Sequence, residues 1–127
     1  ENIDIFAKSF RRRDGLSKNF KFKNFTNKPT LLKKKYDLII NASNAGMSHG
    51  NKINRNILRL VKKTKGVIDI VYNPLETDLL KEAEKHNIKS IGGLIMLVEQ
   101  AKPSFEIWSK KDIEIDDKIY RSLISKI

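Results

Sequence analysis

A chain of 127 residues suits one domain with a core of its own and is short for an enzyme that must hold both a dinucleotide and a second substrate. It has no cysteine and only two histidines, His49 and His86, which excludes disulfides and thiolate metal sites and argues against any histidine-based metal centre. The net charge of +11 is uneven, since residues 1–36 carry 11 basic and 3 acidic side chains whereas residues 37–127 carry 15 and 12.

Residues 3–6 read as a short buried strand, followed by the basic stretch Ala7-Lys8-Ser9-Phe10-Arg11-Arg12-Arg13 and a predicted short helix ending near Gly15 or Leu16. Phe20, Phe22 and Phe25, interleaved with polar and basic residues, fit either a strand or a packed loop. Residues 37–41 form a continuous apolar run of strand length, and residues 44–51, with Gly46 and Gly50, read as a loop. A helix follows, because Ile53, Ile57, Leu58, Leu60 and Val61 recur near helical spacing with Lys and Arg between them. Gly66 closes it, and residues 67–72 make a second apolar strand. Asn73-Pro74 breaks the chain before a helix over 77–85, with Thr77 as its N-cap and Leu79, Leu80 and Ala83 on its inner face. Residues 88–91 are a short strand, Gly92-Gly93 a tight turn, and residues 94–108 a helix that Pro103 must restart or kink. Met96 and Phe105 fall on the apolar face of that helix and read as core; residues 117–127 form a last amphipathic helix.

Strands alternating with helices at this spacing predict a doubly wound parallel α/β sheet, whose strands, covered on both faces, read as unbroken apolar runs. Such folds bind ligands beyond the carboxyl ends of their strands, where this sequence collects Lys8 and Ser9, residues 41–44, Tyr72 and Asn73, and Gly92 and Gly93. The turn after residues 3–6 bears on the choice of dinucleotide. An acid there would accept from a ribose hydroxyl; Lys8, Ser9, Arg11, Arg12 and Arg13 instead suit a 2′-phosphate. Taken alone, a basic turn on a lysine-rich surface is the commoner explanation of such a stretch.

Three motifs add to this reading. Asp69-Ile70-Val71-Tyr72-Asn73-Pro74-Leu75-Glu76-Thr77, followed by Leu79-Leu80-Lys81-Glu82-Ala83, resembles the shikimate dehydrogenase pattern of a D-x-x-Y strand end, N-P-x-x-T and a helix. Gly93-Leu94-Ile95-Met96-Leu97-Val98-Glu99-Gln100-Ala101, with Ser104-Phe105-Glu106-Ile107-Trp108, resembles the G-L-x-M-L-V-x-Q-A…F-E-x-W helix of the same family. Asp37-Leu38-Ile39-Ile40-Asn41-Ala42-Ser43, with Gly46-Met47 behind it, is similar to the family's D-L-I-I-N-A-T segment. Order and spacing fit for all three, and the resemblance covers essentially the whole chain.

The resemblance implies NADP as cofactor and shikimate or 3-dehydroshikimate as substrate. Lys8, Ser9 and Arg12 take the places of the N-R-T-x-x-R clamp on the 2′-phosphate, with Ala7 standing where the family has asparagine. Ser43, Asn44 and Ala45 would pass the phosphates and nicotinamide ribose, Ile70 and Gly93 would lie beside the nicotinamide, and Tyr72 and Gln100 would hold the substrate's carboxylate and hydroxyls. The family's catalytic lysine and aspartate belong to an N-terminal domain that precedes anything in these residues, so no catalytic residue and no metal ligand is assigned. Also without counterpart are the first strand and the glycine-rich turn under the pyrophosphate; no G-x-G-x-x-G or G-A-G-G occurs.

The expectation is therefore a partial Rossmann-like doubly wound sheet with flanking helices. Residues 1–127 would be the NADP-binding domain of a shikimate dehydrogenase truncated at its N-terminal side, inactive alone. It is expected to be cytoplasmic and free of the membrane, with no run of roughly 20 apolar residues, and either a monomer or a homodimer. Two alternatives stand beside this reading. One is a quinate/shikimate dehydrogenase that accepts NAD, which an acid in place of Lys8 would favour. The other is a non-catalytic nucleic-acid-binding module using the basic stretch 8–35, whose affinity would fall steeply with salt; no nucleic-acid partner is expected on the first reading.

Overall fold

The computed structural model describes residues 3–7, 24–26 and 35–126, and the chain divides into two compact units, residues 1–35 and 36–127. In the first unit β1 (Asp4–Phe6) pairs in parallel with β2 (Asn24–Thr26), Ile5 opposite Phe25. The choice left open at Phe25 falls to a strand. The helix expected near Gly15 lies outside the described residues.

The second unit runs β3 (Leu38–Asn41), α1 (Arg55–Val61), β4 (Gly66–Asp69), α2 (Asp78–Lys85), β5 (Lys89–Ile91), α3 (Gly93–Ser109) and α4 (Asp117–Ile124). The sheet order is β3-β4-β5, parallel throughout, as the alternation of apolar strands and helices predicts. Three helices start where a side chain satisfies their first free N–H groups. Asn54 accepts from the Asn56 N–H at 2.8 Å, Thr77 from the Leu80 N–H at 3.3 Å, and Asp116 from the N–H groups of Lys118 and Ile119, each at 3.0 Å. At the amino end of the sheet, the exposed pair of Asp37 and Lys65, 2.6 Å apart, holds the start of β3 to the turn before β4; the hydrogen bond from Lys65 lowers the Asp37 carboxyl below its ordinary value.

Side chains on a strand alternate between faces, and the register shows which face is covered. Ile39 and Val67 are opposite each other and pack with Ile53 and Val61 from the α1 side and Leu79 and Ala83 from α2, forming the core. The next row, Ile40, Ile68 and Ile91, points the other way, with Ile40 57% and Ile91 46% exposed. The apolar runs are thus covered on the α1 and α2 face, while the opposite row stands open.

Two boundaries differ from the sequence pattern. β4 ends at Asp69 rather than Tyr72, because after the Ile70 N–H bonds to the Asn41 carbonyl, the Val71 N–H turns to the Asp69 side chain and the Val71 carbonyl accepts from Gly93. α3 runs unbroken through Pro103, which has no N–H to give the helix. Phe105, read as core, is 50% exposed: α3 buries Gly93, Leu94 and Val98 at its start, and Phe105 lies beyond them. Met96 is half-buried. Among the described residues no helix is long and apolar enough to cross a membrane.

The contrast between Leu79, fully buried at 0% exposure, and Phe105 sets an expectation. Leu79→Ala should destabilise the fold by about 2–5 kcal/mol, the usual cost of emptying a leucine site. Phe105→Ala should change it by about 0.5 kcal/mol or less. Urea unfolding of both variants measures this, and equal losses would place the core elsewhere.

Candidate functional site

The carboxyl ends of β3, β4 and β5 lie along one edge of the sheet, and the last residues of β3 and β4, Asn41 and Asp69, are opposite each other in register. Both follow the covered-face positions Ile39 and Val67 by two, so they continue that face past the end of the core. Asp69 has no exposed surface. Burying a carboxylate costs several kcal/mol unless donors replace the lost water, and here three do. Asp69 Oδ1 accepts from Asn41 Nδ2 at 2.9 Å and from the Val71 N–H at 3.1 Å, and Oδ2 accepts from the Thr77 hydroxyl at 2.6 Å. Thr77 therefore acts twice, capping α2 and holding Asp69.

The network continues into the loop after β3. The second hydrogen of Asn41 Nδ2 goes to the Ala45 carbonyl at 2.9 Å, and Asn41 Oδ1 accepts from the Ser43 N–H at 3.2 Å and the Ser43 hydroxyl at 2.7 Å. The Ser43 hydroxyl oxygen accepts in turn from the Ala45 N–H at 3.2 Å. Residues 42–45 are wound around one amide, whose orientation is fixed because a carbonyl faces its nitrogen and an N–H faces its oxygen. Farther on, Gly46 takes a left-handed φ of 95°, which favours glycine. Ser48 then reaches across to Asn73, through its N–H to the Asn73 carbonyl at 3.3 Å and through its hydroxyl to Asn73 Oδ1 at 3.0 Å. The loops that follow β3 and β4 are tied together at both ends.

The third segment joins at Gly93. Its N–H donates to the Val71 carbonyl at 3.2 Å, and a β-carbon on it would collide with the carbonyl oxygen of Ile70. The glycine is thus required by backbone packed against backbone, and this brings Ile70 and Gly93 side by side.

The structure accordingly gathers Ser43, Asn44, Ala45, Ile70, Tyr72 and Gly93 at one edge. Ser43 and Asn44 are exposed, Ala45 and Ile70 half-buried, Gly93 buried, and Tyr72 is 42% exposed. Gln100 is exposed on α3, about two turns beyond Gly93. Lys8, Ser9 and Arg12 lie outside the described residues. Sequence reasoning placed Asn41 among the polar residues at the strand ends without a particular role, and gave Asp69 and Thr77 no site role. A signal was available: Asp69 is a carboxylate set inside the apolar run 67–72, Asn41 is the polar residue closing the run before it, and Thr77 is the N-cap of the next helix.

A parallel α/β unit whose polar loops meet at the carboxyl edge of its sheet is of the Rossmann-like doubly wound class, which binds ligands at that edge. No family model matches the sequence, but individual proteins do. It is 37% identical over 132 residues to the shikimate dehydrogenase (NADP(+)) of Methanococcus maripaludis strain C7, a match covering 97% of this chain and 47% of that protein. To the protein of the same name from Methanococcus maripaludis strain S2 it is 45% identical over 95 residues, covering 72% and 33%. Among solved structures it is similar to a chorismate mutase/shikimate 5-dehydrogenase fusion protein from Clostridium acetobutylicum, with 32% identity, a TM-score of 0.75, and 99% of this chain and 45% of that one covered. A shikimate dehydrogenase in complex with NADP+ gives 31% identity and a TM-score of 0.70, covering 98% and 46%. The chain is similar to shikimate dehydrogenases over nearly its whole length, as its three motifs indicated, and spans about half or less of the length of these relatives.

Gly93→Ala tests the packing account. With Ile70 and Val71 backbone in the way, the substitution should destabilise the fold by about 1–3 kcal/mol, as overpacking does. A glycine needed only for the approach of a ligand would leave the melting temperature unchanged.

Proposed function

We propose that this chain is the cofactor-binding half of an NADP-dependent shikimate dehydrogenase, an enzyme that interconverts 3-dehydroshikimate and shikimate in aromatic amino-acid biosynthesis, with the cytoplasmic location expected of such an enzyme. One observation carries the reading. Three motifs distant in sequence, all with the family's spacing, end together at one edge of the sheet.

The residues at that edge fit a dinucleotide. The exposed hydroxyl and amide of Ser43 and Asn44 suit phosphate and ribose oxygens, and half-buried Ile70 beside Gly93 offers an apolar flank for a flat ring. Lys8, Ser9 and Arg12 supply two cations and a hydroxyl for the 2′-phosphate. When bound, NADP accepts the hydride that shikimate gives up. The residues of this chain bind and orient: Tyr72 and Gln100 offer a phenol and an amide to the carboxylate and hydroxyls of the substrate. Nothing assigned here moves the proton of the reacting hydroxyl, a contribution typically of about 10²–10⁴-fold, so the 127-residue polypeptide by itself should be close to inert.

Two binding measurements test the assignment. NADP and NAD differ by one phosphate, so only groups touching it can separate them strongly. By calorimetry Lys8→Ala and Arg12→Ala should each weaken NADP by about tenfold, the low end for a charge-assisted hydrogen bond, and leave NAD nearly unaffected. Equal losses from Arg11→Ala and Arg13→Ala would favour a diffuse basic patch, the nucleic-acid alternative. Loss of NAD and NADP binding in parallel would remove the specific clamp.

For the substrate wall, Tyr72→Phe or Gln100→Ala should weaken shikimate by roughly 5- to 150-fold, corresponding to about 1–3 kcal/mol for a hydrogen bond broken on one side, with NADP affinity nearly unchanged. Shikimate affinity untouched in both variants would show that neither side chain faces the substrate.

A further inference from the structure

We infer that Asp69 is a positioning residue that holds the cofactor loop and the substrate wall to one another. Its ligand consequences rest on the function proposed above, while the coupling itself rests on geometry alone. The oxygen Oδ1 is shared. On one side it accepts from Asn41, whose amide organises residues 42–45; on the other it accepts from the N–H of Val71, the residue before Tyr72. Oδ2 is held by Thr77, which is itself fixed at the start of α2. With three donors on two oxygens and no exposed surface, the carboxylate cannot follow one loop without lengthening its bonds to the other. The arrangement is also specific to a carboxylate. Asparagine supplies one acceptor and turns an N–H₂ toward a donor, leaving either the Thr77 hydroxyl proton or the Asn41–Val71 pair without an acceptor.

The test reads backbone amide chemical shifts of the 127-residue protein together with NADP affinity, in Asp69→Asn, Thr77→Val and Thr77→Ser. The informative amides are Val71, Ser43 and Ala45, which donate to the side chains of Asp69, Asn41 and Ser43 respectively. A threonine that only capped α2 would, on Thr77→Val, shift Leu80 and its helical neighbours. Positioning through Asp69 requires that Val71, Ser43 and Ala45 shift as well, that Thr77→Ser restore all of them, and that Asp69→Asn shift the same set. NADP should weaken by about five- to tenfold in Asp69→Asn and Thr77→Val and recover in Thr77→Ser. Unmoved Ser43 and Ala45 amides in a folded Thr77→Val or Asp69→Asn variant would overturn the inference. If Asp69→Asn does not fold, the Val and Ser variants of Thr77 decide it. If the unsubstituted protein does not bind NADP, the cofactor assignment fails, and the amide shifts still decide the coupling.

Discussion

The buried carboxylate of Asp69 is the constraint around which the functional edge is arranged. Removing a charged oxygen pair from water is tolerated only when donors are delivered to it, and each donor here comes from a different piece of chain: the end of β3, the turn after β4 and the start of α2. The requirement works in both directions. β4 stops its ladder at Asp69 because the next N–H but one is claimed by the side chain. α2 starts at Asp78 because Thr77, already held by Asp69, has its oxygen free to accept from Leu80. One polar interaction thereby sets a strand end, a helix start and the path of two loops.

The apolar core supplies the rigidity that makes this useful. Leu79 and Ala83 face Val67 and Val61, so the helix that carries Thr77 at its N-cap is fixed against the strand that carries Asp69. Beyond Val67 the covered face continues as buried Asp69 and Val71, and the chain around them opens into the exposed residues Ser43, Asn44 and Tyr72. Close packing below and polar groups above is the arrangement that lets loops present side chains without moving.

Much of the architecture was legible because it rests on local chemistry. The presence of strands within residues 37–41 and 67–72, the cap at Thr77 and the inner face of α2 each follow from residue types at fixed spacing. What escaped depends on partners distant in sequence. No periodicity in residues 67–72 reveals that the Val71 N–H leaves the ladder, because its acceptor is a side chain two residues back and its carbonyl is taken by Gly93 far along the chain. Phe105 misled for a related reason: helical spacing reports a face but not whether anything packs against it, and α3 is covered only near its start. At the site, the motifs located Ser43, Ile70, Tyr72 and Gly93, but they did not distinguish residues that would touch a ligand from those that hold the loops. Asn41, Asp69 and Thr77 fall in the second group. For Gly93, read from the sequence as part of a tight turn, the structure adds a packing reason, room for the Ile70 carbonyl.

The uneven charge bears on how any cofactor preference could arise. Most of the excess lies in residues 1–36, and a field from so many lysines and arginines draws any polyanion toward the chain. Attraction of that kind is weakly selective. At physiological ionic strength it decays over about 8 Å, so cations spread over a surface act on the total charge of a ligand far more than on where a single phosphate sits. Distinguishing two dinucleotides that differ only at one ribose oxygen needs groups within hydrogen-bonding reach of that oxygen, held by the backbone at the end of a strand. On the function proposed above that part falls to Lys8, Ser9 and Arg12, which come soon after β1 in the sequence and, unlike a dispersed set of lysines, hold two cations and a hydroxyl within five residues.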